Sequence, residues 1–205
     1  MKAAAEAGAK IIVFPELCLT GYTCNDLFGQ QILIDEAKEE LRKTVEETKE
    51  LDCIVFVGLP LMVKGKLYNV AAAINRGRLL GIVPKYAIPN YAEFYEARHF
   101  SAGTKSVEKI KMWGQEVLFG MNILFECEQM PICVIAAEIC EDLWIPAPPS
   151  ITHAQAGATV IVNLSASDEL TGKAIYRNQL LSSQSAHLVC GYIYSSAGDG
   201  ESTTD

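Results

Sequence analysis

The stretch "VIAAEICEDLW", residues 134–144, joins a strand-like segment to a cysteine and two acidic residues. Val134 to Ile139 is mostly apolar, which predicts a buried strand. Cys140 follows where that strand should end, and Glu141 and Asp142 come directly after it. Because most cysteines are small buried hydrophobes, the rest of the sequence has to decide whether Cys140 is a core residue or a reactive thiol.

Further strand-like segments alternate with helical patterns along the chain. Residues 34–51 carry apolar side chains at helical spacing with Glu and Lys on the other face, and residues 173–186 predict a second amphipathic helix. The other predicted strands are "IIVFPEL" (11–17), "DCIVFVGLPL" (52–61), a hairpin in "KLYNVAAAINRGRLLGIVPK" (66–85), and "HLVCGYIYSS" (187–196). Helices that alternate with buried strands indicate an α/β layered domain.

Composition excludes several classes of protein. The chain has 205 residues, 50% of them hydrophobic, which suits one globular domain with a sizeable core. The net charge of −8 comes with scattered basic residues, so no nucleic-acid partner is expected. We expect no membrane span, because the apolar runs are too short, and we see no secretory signal. Seven cysteines without a pairing or C-x-x-C pattern favour reduced thiols, a cytoplasmic location and no metal site.

Three predicted strands end in residues that can carry chemistry. Glu16 ends the first, Lys85 ends the second strand of the hairpin, and Cys140 ends "CVIAAEI". The carboxyl ends of strands form the ligand crevice of open α/β sheets, so the three residues could share one rim. A general base, a cation for a developing oxyanion and a thiol together suit acyl transfer from an amide through a thioester.

The alternatives to this interpretation remain open at this point. Each of the three residues taken alone is more often structural, and Cys140 could simply belong to the core. Competing signatures are missing from the sequence: it holds no G-x-S-x-G elbow, no G-x-x-x-x-G-K-[ST] loop and no strand-linked G-x-G-x-x-G.

Four stretches together resemble the nitrilase (carbon–nitrogen hydrolase) superfamily. They are "FPELCLTGYTCNDLF" (14–28), "PKYAIPNYAEFYEARHF" (84–100), "ICEDLWIPAPPS" (139–150) and "NLSASDELTGKAIYRNQLLSSQSA" (163–186). Within that superfamily they are most similar to the N-terminal glutaminase domain of glutamine-dependent NAD⁺ synthetases. The resemblance implies a four-layer α-β-β-α sandwich and a Glu-Lys-Cys triad, with Glu16 as base, Lys85 as oxyanion stabiliser and Cys140 as nucleophile.

The same resemblance assigns further residues. A second glutamate that holds the lysine matches Glu93, with Glu96 as the rival position. Glu141 is expected to bind the α-ammonium group of the substrate, and its backbone N–H to complete the oxyanion hole. The remaining expected pocket residues, of which Ser167 and Lys173 match more loosely, are Tyr22, Tyr91, Trp144, Ser167 and Lys173.

The activity that the resemblance implies is hydrolysis of glutamine, which releases ammonia. A separate synthetase domain would use ATP and Mg²⁺ to amidate deamido-NAD, and no cofactor is expected for residues 1–205. The sequence has no S-G-G-x-D-S pyrophosphate loop. We therefore expect a fragment that lacks the synthetase domain, the first strand of the sandwich and the strands after "GDGESTTD" (198–205). A homo-oligomer is also expected.

Two other interpretations keep part of this evidence. A free-standing carbon–nitrogen hydrolase could use the same residues on another small amide, carbamoyl compound or nitrile. A non-catalytic interaction module would keep Cys140 in the core, where its thiol should be inert.

Overall fold

Two β-sheets face each other in the computed structural model, which describes residues 1–198. The first sheet has the strand order β1-β2-β3-β4-β6-β5, and the second has the order β10-β9-β8-β7. The first contains β1 (Ile11–Val13), β2 (Ile54–Val63), β3 (Lys66–Asn75), β4 (Arg78–Pro84), β5 (Glu108–Met112) and β6 (Gln115–Phe119). The second contains β7 (Leu124–Glu126), β8 (Val134–Ile139), β9 (Val160–Ser165) and β10 (Gly191–Ser196).

Helices cover the outer faces of the two sheets. They are α1 (Lys2–Glu6), α2 (Gln31–Glu47), α3 (Pro149–Gln155) and α4 (Lys173–Leu188). Leu41 and Val45 of α2 pack in one apolar cluster with the first sheet, and Ala154 of α3 and Leu188 of α4 pack against the second. The α-β-β-α order of layers expected from the resemblance is confirmed.

The core between the sheets explains why their strands are apolar on both faces. Phe56 and Ala73 of the first sheet meet Ala137 and Val162 of the second in one buried cluster. Each sheet therefore has one inner face against its partner sheet and one outer face against helices. Burial on both sides requires continuous apolar runs rather than alternation, and such runs are visible in β2, β3 and β8.

Several boundaries differ from the sequence prediction. The segment 187–196 begins as the last turn of α4, and the strand starts only at Gly191, because Val189 adopts a left-handed conformation that ends the helix. The β5–β6 hairpin and the short β7 were not predicted. The terminal turn "GDGESTTD" lies almost wholly outside the described residues. Within residues 1–198, no helix has the length and apolar character needed to cross a membrane.

Candidate active site

Glu16 is positioned by a close crossing of two backbone segments. The chain leaves β1 at Pro15 and passes directly over Gly58 of β2, where an added Cβ would lie 2.3 Å from the Leu17 nitrogen. Only glycine permits that approach. The crossing turns the Glu16 carboxylate into the interior, where Glu16 is 1% exposed. Its Oε2 accepts a hydrogen bond from the Ala166 N–H at 3.1 Å.

Lys85 lies at the end of β4 and is fully buried. Its Nζ donates to Glu16 Oε1 at 2.6 Å and to Glu96 Oε1 at 2.5 Å. Burial alone would lower the pKa of Lys85, but the two carboxylates raise it well above its usual value. An ammonium has three N–H donors, so one remains for a third acceptor.

The carboxylate pair around Lys85 leaves the buried cluster short of positive charge, with two acids and one base. Burial raises the pKa of Glu16, Lys85 lowers it, and Glu96 raises it further. The net result is a carboxylate that gains a proton more readily than an ordinary glutamate, as a general base near neutral pH requires.

The second glutamate is Glu96, which corrects the expectation for Glu93. Glu96 is buried, contacts Lys85, and accepts a hydrogen bond from the Tyr22 hydroxyl at 2.8 Å. Glu93 is only partly buried and lies in the wall of the neighbouring depression. Both residues belong to the irregular segment after β4, where no periodicity indicates which side chain turns inward.

Cys140 follows β8 in a strained backbone conformation. Its φ is +42°, in the left-handed region that non-glycine residues rarely adopt. Its N–H donates to Asn163 Oδ1 at 3.1 Å. Burial and, after it, the charge of Glu16 raise the pKa of the Cys140 thiol to about 12, although Lys85 acts to lower it. At neutral pH the thiol keeps its proton, so attack requires a base to remove it.

Asp142 connects the loop after Lys85 to the turn after β8. Its Oδ1 accepts from the N–H groups of Tyr86 and Ala87 at 3.1 and 2.7 Å, and its Oδ2 accepts from the Ile139 N–H at 2.9 Å. Lys85 belongs to the first sheet and Cys140 to the second, so the single rim expected from an open sheet is in fact shared by two facing sheets. Asp142 joins the two halves of that rim.

Sequence reasoning missed three buried polar residues. Asn69 of β3 donates through Nδ2 to Glu16 Oε1 at 2.6 Å and to Glu96 Oε2 at 3.4 Å. Asn163 of β9 and Asp142 hold the backbone around Cys140. A polar residue inside an otherwise apolar strand was the available signal for Asn69 and Asn163, because buried amides must find partners.

An open depression of about 480 Å³ is lined by Tyr91, Trp144 and Lys173 among others, and both Tyr91 and Lys173 interact electrostatically with Cys140. At its wall, the Tyr91 hydroxyl is 3.0 Å from both carboxylate oxygens of Glu141. Burial and hydrogen bonding to Glu141 raise the pKa of Tyr91 to about 12, and burial raises the pKa of Glu141. On another wall, Lys173 Nζ lies 5.3 Å from the centroid of the Trp144 ring.

The depression presents charges of both signs. Lys173, the first residue of α4, forms an ion pair with Asp168, and burial lowers its pKa. Glu141, which carries the opposite charge, is hydrogen-bonded to Tyr91 of the lining. The surroundings of the depression therefore include groups of both charges.

Two expected pocket residues lie elsewhere on the rim. Tyr22 contacts Glu96 rather than the depression, and burial with the charges of Glu16 and Glu96 raises its pKa. The Ser167 N–H donates to the Ser196 hydroxyl at 3.3 Å, and Ser167 lies just beyond β9. Of the predicted pocket residues, Tyr91, Trp144 and Lys173 line the depression, and Glu141 is hydrogen-bonded to Tyr91.

Exchange of Glu96 for Gln will separate the two candidate glutamates. Glu96→Gln removes one of the two charges that hold Lys85, and we expect kcat for amide hydrolysis to fall about 10- to 100-fold. Glu93→Gln is the matched control and should lower kcat by no more than about threefold. Steady-state kinetics on both variants provide the measurement. A larger loss of kcat in the Glu93 variant would indicate that Glu93, rather than Glu96, holds Lys85 during the reaction.

Comparisons with known proteins agree with this geometry. The carbon–nitrogen hydrolase family profile matches residues 1–197. Glutamine-dependent NAD(+) synthetase of Mycobacterium tuberculosis is 43% identical over 204 residues, which covers 100% of this chain and 30% of that protein. The enzyme of the same name from Aquifex aeolicus is 34% identical over 184 residues, which covers 90% of this chain and 29% of that protein.

Solved structures give the same result. A glutamine-dependent NAD(+) synthetase from Cytophaga hutchinsonii superposes with a TM-score of 0.87 at 29% identity and covers 98% of this chain and 32% of that one. An amidase from Nesterenkonia sp. shares the fold, with a TM-score of 0.72 at 18% identity over 97% of this chain and 67% of that one.

The fold and the family profile together indicate a class of proteins that hydrolyse carbon–nitrogen bonds. This chain belongs to the carbon–nitrogen hydrolase family. It spans about a third of the length of the curated NAD(+) synthetases that it resembles.

Proposed function

We propose that this protein hydrolyses the side-chain amide of glutamine through a thioester on Cys140. The observation that carries the proposal is the fully buried Lys85, held between Glu16 and Glu96 next to the left-handed Cys140. Support for glutamine as the substrate comes from the named relatives and from two groups of opposite charge, Lys173 in the lining of the depression and Glu141 bonded to Tyr91 of that lining.

Lys85 and one backbone N–H stabilise the developing oxyanion. Two of the three Lys85 donors are committed to carboxylates, and the third is left for the carbonyl oxygen of the amide. The Cys140 N–H is committed to Asn163. Glu141 lies at the start of a short 3₁₀ turn, Cys140–Leu143, where the first N–H groups have no partner within the turn, so we assign its N–H as the second donor of the oxyanion hole.

Glu16 moves the protons. It removes the thiol proton as the Cys140 sulfur attacks the amide carbon, and it returns that proton to the leaving nitrogen, so ammonia departs from a γ-glutamyl thioester. Water then attacks the thioester carbon and gives a proton to Glu16. The thiol regains a proton as glutamate leaves, and the enzyme is restored.

The ammonia would serve a synthetase domain of the same full-length protein. That domain would use ATP and Mg²⁺ to amidate deamido-NAD. The name of the relatives, glutamine-dependent NAD(+) synthetase, supports the coupling of glutamine to NAD(+) synthesis. Residues 1–198 offer the amide-hydrolysing half of that reaction. A cytoplasmic location and a homo-oligomeric state complete the proposal.

A small-amide hydrolase is the second candidate, because the amidase from Nesterenkonia has the same fold. Labelling of the cysteines with a diazoketone analogue of glutamine, mapped by mass spectrometry, separates the two. We expect selective labelling of Cys140, suppressed by excess glutamine. Suppression by propionamide but not by glutamine would favour the second candidate, and an unlabelled Cys140 in folded protein would refute both.

A further inference from the structure

A chain of three polar groups, two of them buried and one half-buried, lies behind Cys140 on the face of the second sheet that α3 and α4 cover. Glu138 of β8 is directly opposite Asn163 of β9 in the parallel register, and Tyr192 of β10 lies on the same face. Glu138 is 1% exposed and Asn163 is fully buried. The proposed mechanism uses none of these three side chains in a chemical step, yet burying them requires that each one is satisfied.

Along this chain of polar groups, each hydrogen bond is donated in the direction of Glu138. Both oxygens of Glu138 act as acceptors, one from the Ser150 N–H at 3.0 Å and the other from the Tyr192 hydroxyl. Since the hydroxyl proton is used on Glu138, the Tyr192 oxygen is left to accept, and Asn163 Nδ2 donates to it at 3.2 Å. The amide is thereby oriented with its oxygen towards the Cys140 N–H.

The strained residue Cys140 lies at one end of this chain of hydrogen bonds. A left-handed conformation is unfavourable for a residue that has a Cβ, so Cys140 needs contacts that hold it there. The hydrogen bond from the Cys140 N–H to Asn163 Oδ1, at 3.1 Å, fixes the plane of the peptide group between Ile139 and Cys140. It also removes the Cys140 N–H from the oxyanion hole, which then depends on the next residue.

We propose that Glu138, Tyr192 and Asn163 are positioning residues that fix the backbone direction of Cys140 and so select the Glu141 N–H as the oxyanion donor. The inference rests on the proposed thioester chemistry. None of the three touches the substrate; their effect is to keep the thiol within reach of Glu16. Burial raises the pKa of Glu138, and the donors Tyr192 and Ser150 lower it, in agreement with an acceptor that ends the chain.

Two variants weaken the chain at different points. Asn163→Ala removes the acceptor of the Cys140 N–H, and Tyr192→Phe removes the group that orients Asn163. We expect alkylation of Cys140 by iodoacetamide to slow about 10- to 100-fold in Asn163→Ala, because the sulfur moves away from its base. The slowing should be about 3- to 10-fold in Tyr192→Phe. For glutamine, kcat should fall by similar factors while KM stays within about twofold.

Asn75→Ala is the matched control, since Asn75 is likewise a strand asparagine whose side chain bonds to the backbone: its Nδ2 donates to the Cys53 carbonyl at 2.9 Å, outside the site. It should leave the alkylation rate and its pH profile unchanged. The inference would be overturned if Asn163→Ala and Tyr192→Phe left the alkylation rate unchanged, as Asn75→Ala should. If circular dichroism shows that Asn163→Ala is unfolded, the result for Tyr192→Phe decides alone. Alkylation by iodoacetamide does not require glutamine hydrolysis. A protein that fails to hydrolyse glutamine would therefore refute the proposed function, while the alkylation rates would still test the role of the positioning residues.

Discussion

Replacement of Cys140 by Ser will lower glutamine hydrolysis by at least about 10³-fold, the largest loss expected from any single exchange. The hydroxyl of serine is a weaker nucleophile than a thiol, and the site offers Glu16 and Lys85 in an arrangement set for sulfur. The residue is 6% exposed and packs with the core between the sheets, so serine should fit without a large change in fold. Release of ammonia and glutamate is the measurement.

Cys190→Ser is the control for that exchange. Cys190 is buried to a similar degree, and its Sγ donates to the Ala158 carbonyl at 3.1 Å, a bond that a serine hydroxyl can also make. The Cys190 variant should keep glutamine hydrolysis within about twofold of the wild type. Equal losses in the two variants would mean that Cys140 acts only as a core residue.

Replacement of Glu16 by Gln is expected to lower kcat about 10²- to 10⁴-fold, because the amide cannot accept the thiol proton. The pH profile adds a second criterion. The raised pKa of Glu16 places the acid limb of wild-type activity above the range of an ordinary glutamate, and activity rises with pH as the carboxylate loses its proton. The small residual activity of Glu16→Gln should lack that rise.

Folding of the Glu16 variant can be checked independently. Lys85 keeps its contact with Glu96, so the cluster retains one ion pair, although the new NH₂ group must face either Lys85 or the Ala166 N–H. Thermal unfolding should therefore show a moderate loss of stability, and circular dichroism an unchanged fold. A Glu16→Gln enzyme with an unaltered acid limb would show that another group removes the thiol proton.

The sequence was most informative where burial dictates composition. Apolar runs that end in Glu16, Lys85 and Cys140 were visible as strand ends, because strands covered on both faces need continuous apolar residues. The β5–β6 hairpin was missed although "EKIKMWGQEVLF" (108–119) alternates around "WG", where Trp113 and Gly114 both have positive φ. That turn signal was available.

Loop side chains could not be placed in the same way. The segment after Lys85 takes its path from Asp142, which lies 55 residues further along the chain from Ala87. No local pattern reports such a contact, so the sequence left Glu93 and Glu96 as rivals. The partition of the three triad residues between two sheets was equally hidden, since strand order depends on which apolar faces meet.

The bond between Glu16 and Ala166 spans 150 residues, and the bond between Lys85 and Glu16 spans 69. Contacts so distant in sequence form late and slowly, because loop closure must come before they contribute any stability. On the ribosome, Glu16 and Lys85 emerge long before the segment that encloses them. The nascent chain therefore carries its ionised groups in water until β9 docks, and catalytic competence marks the completion of folding rather than an early stage of it.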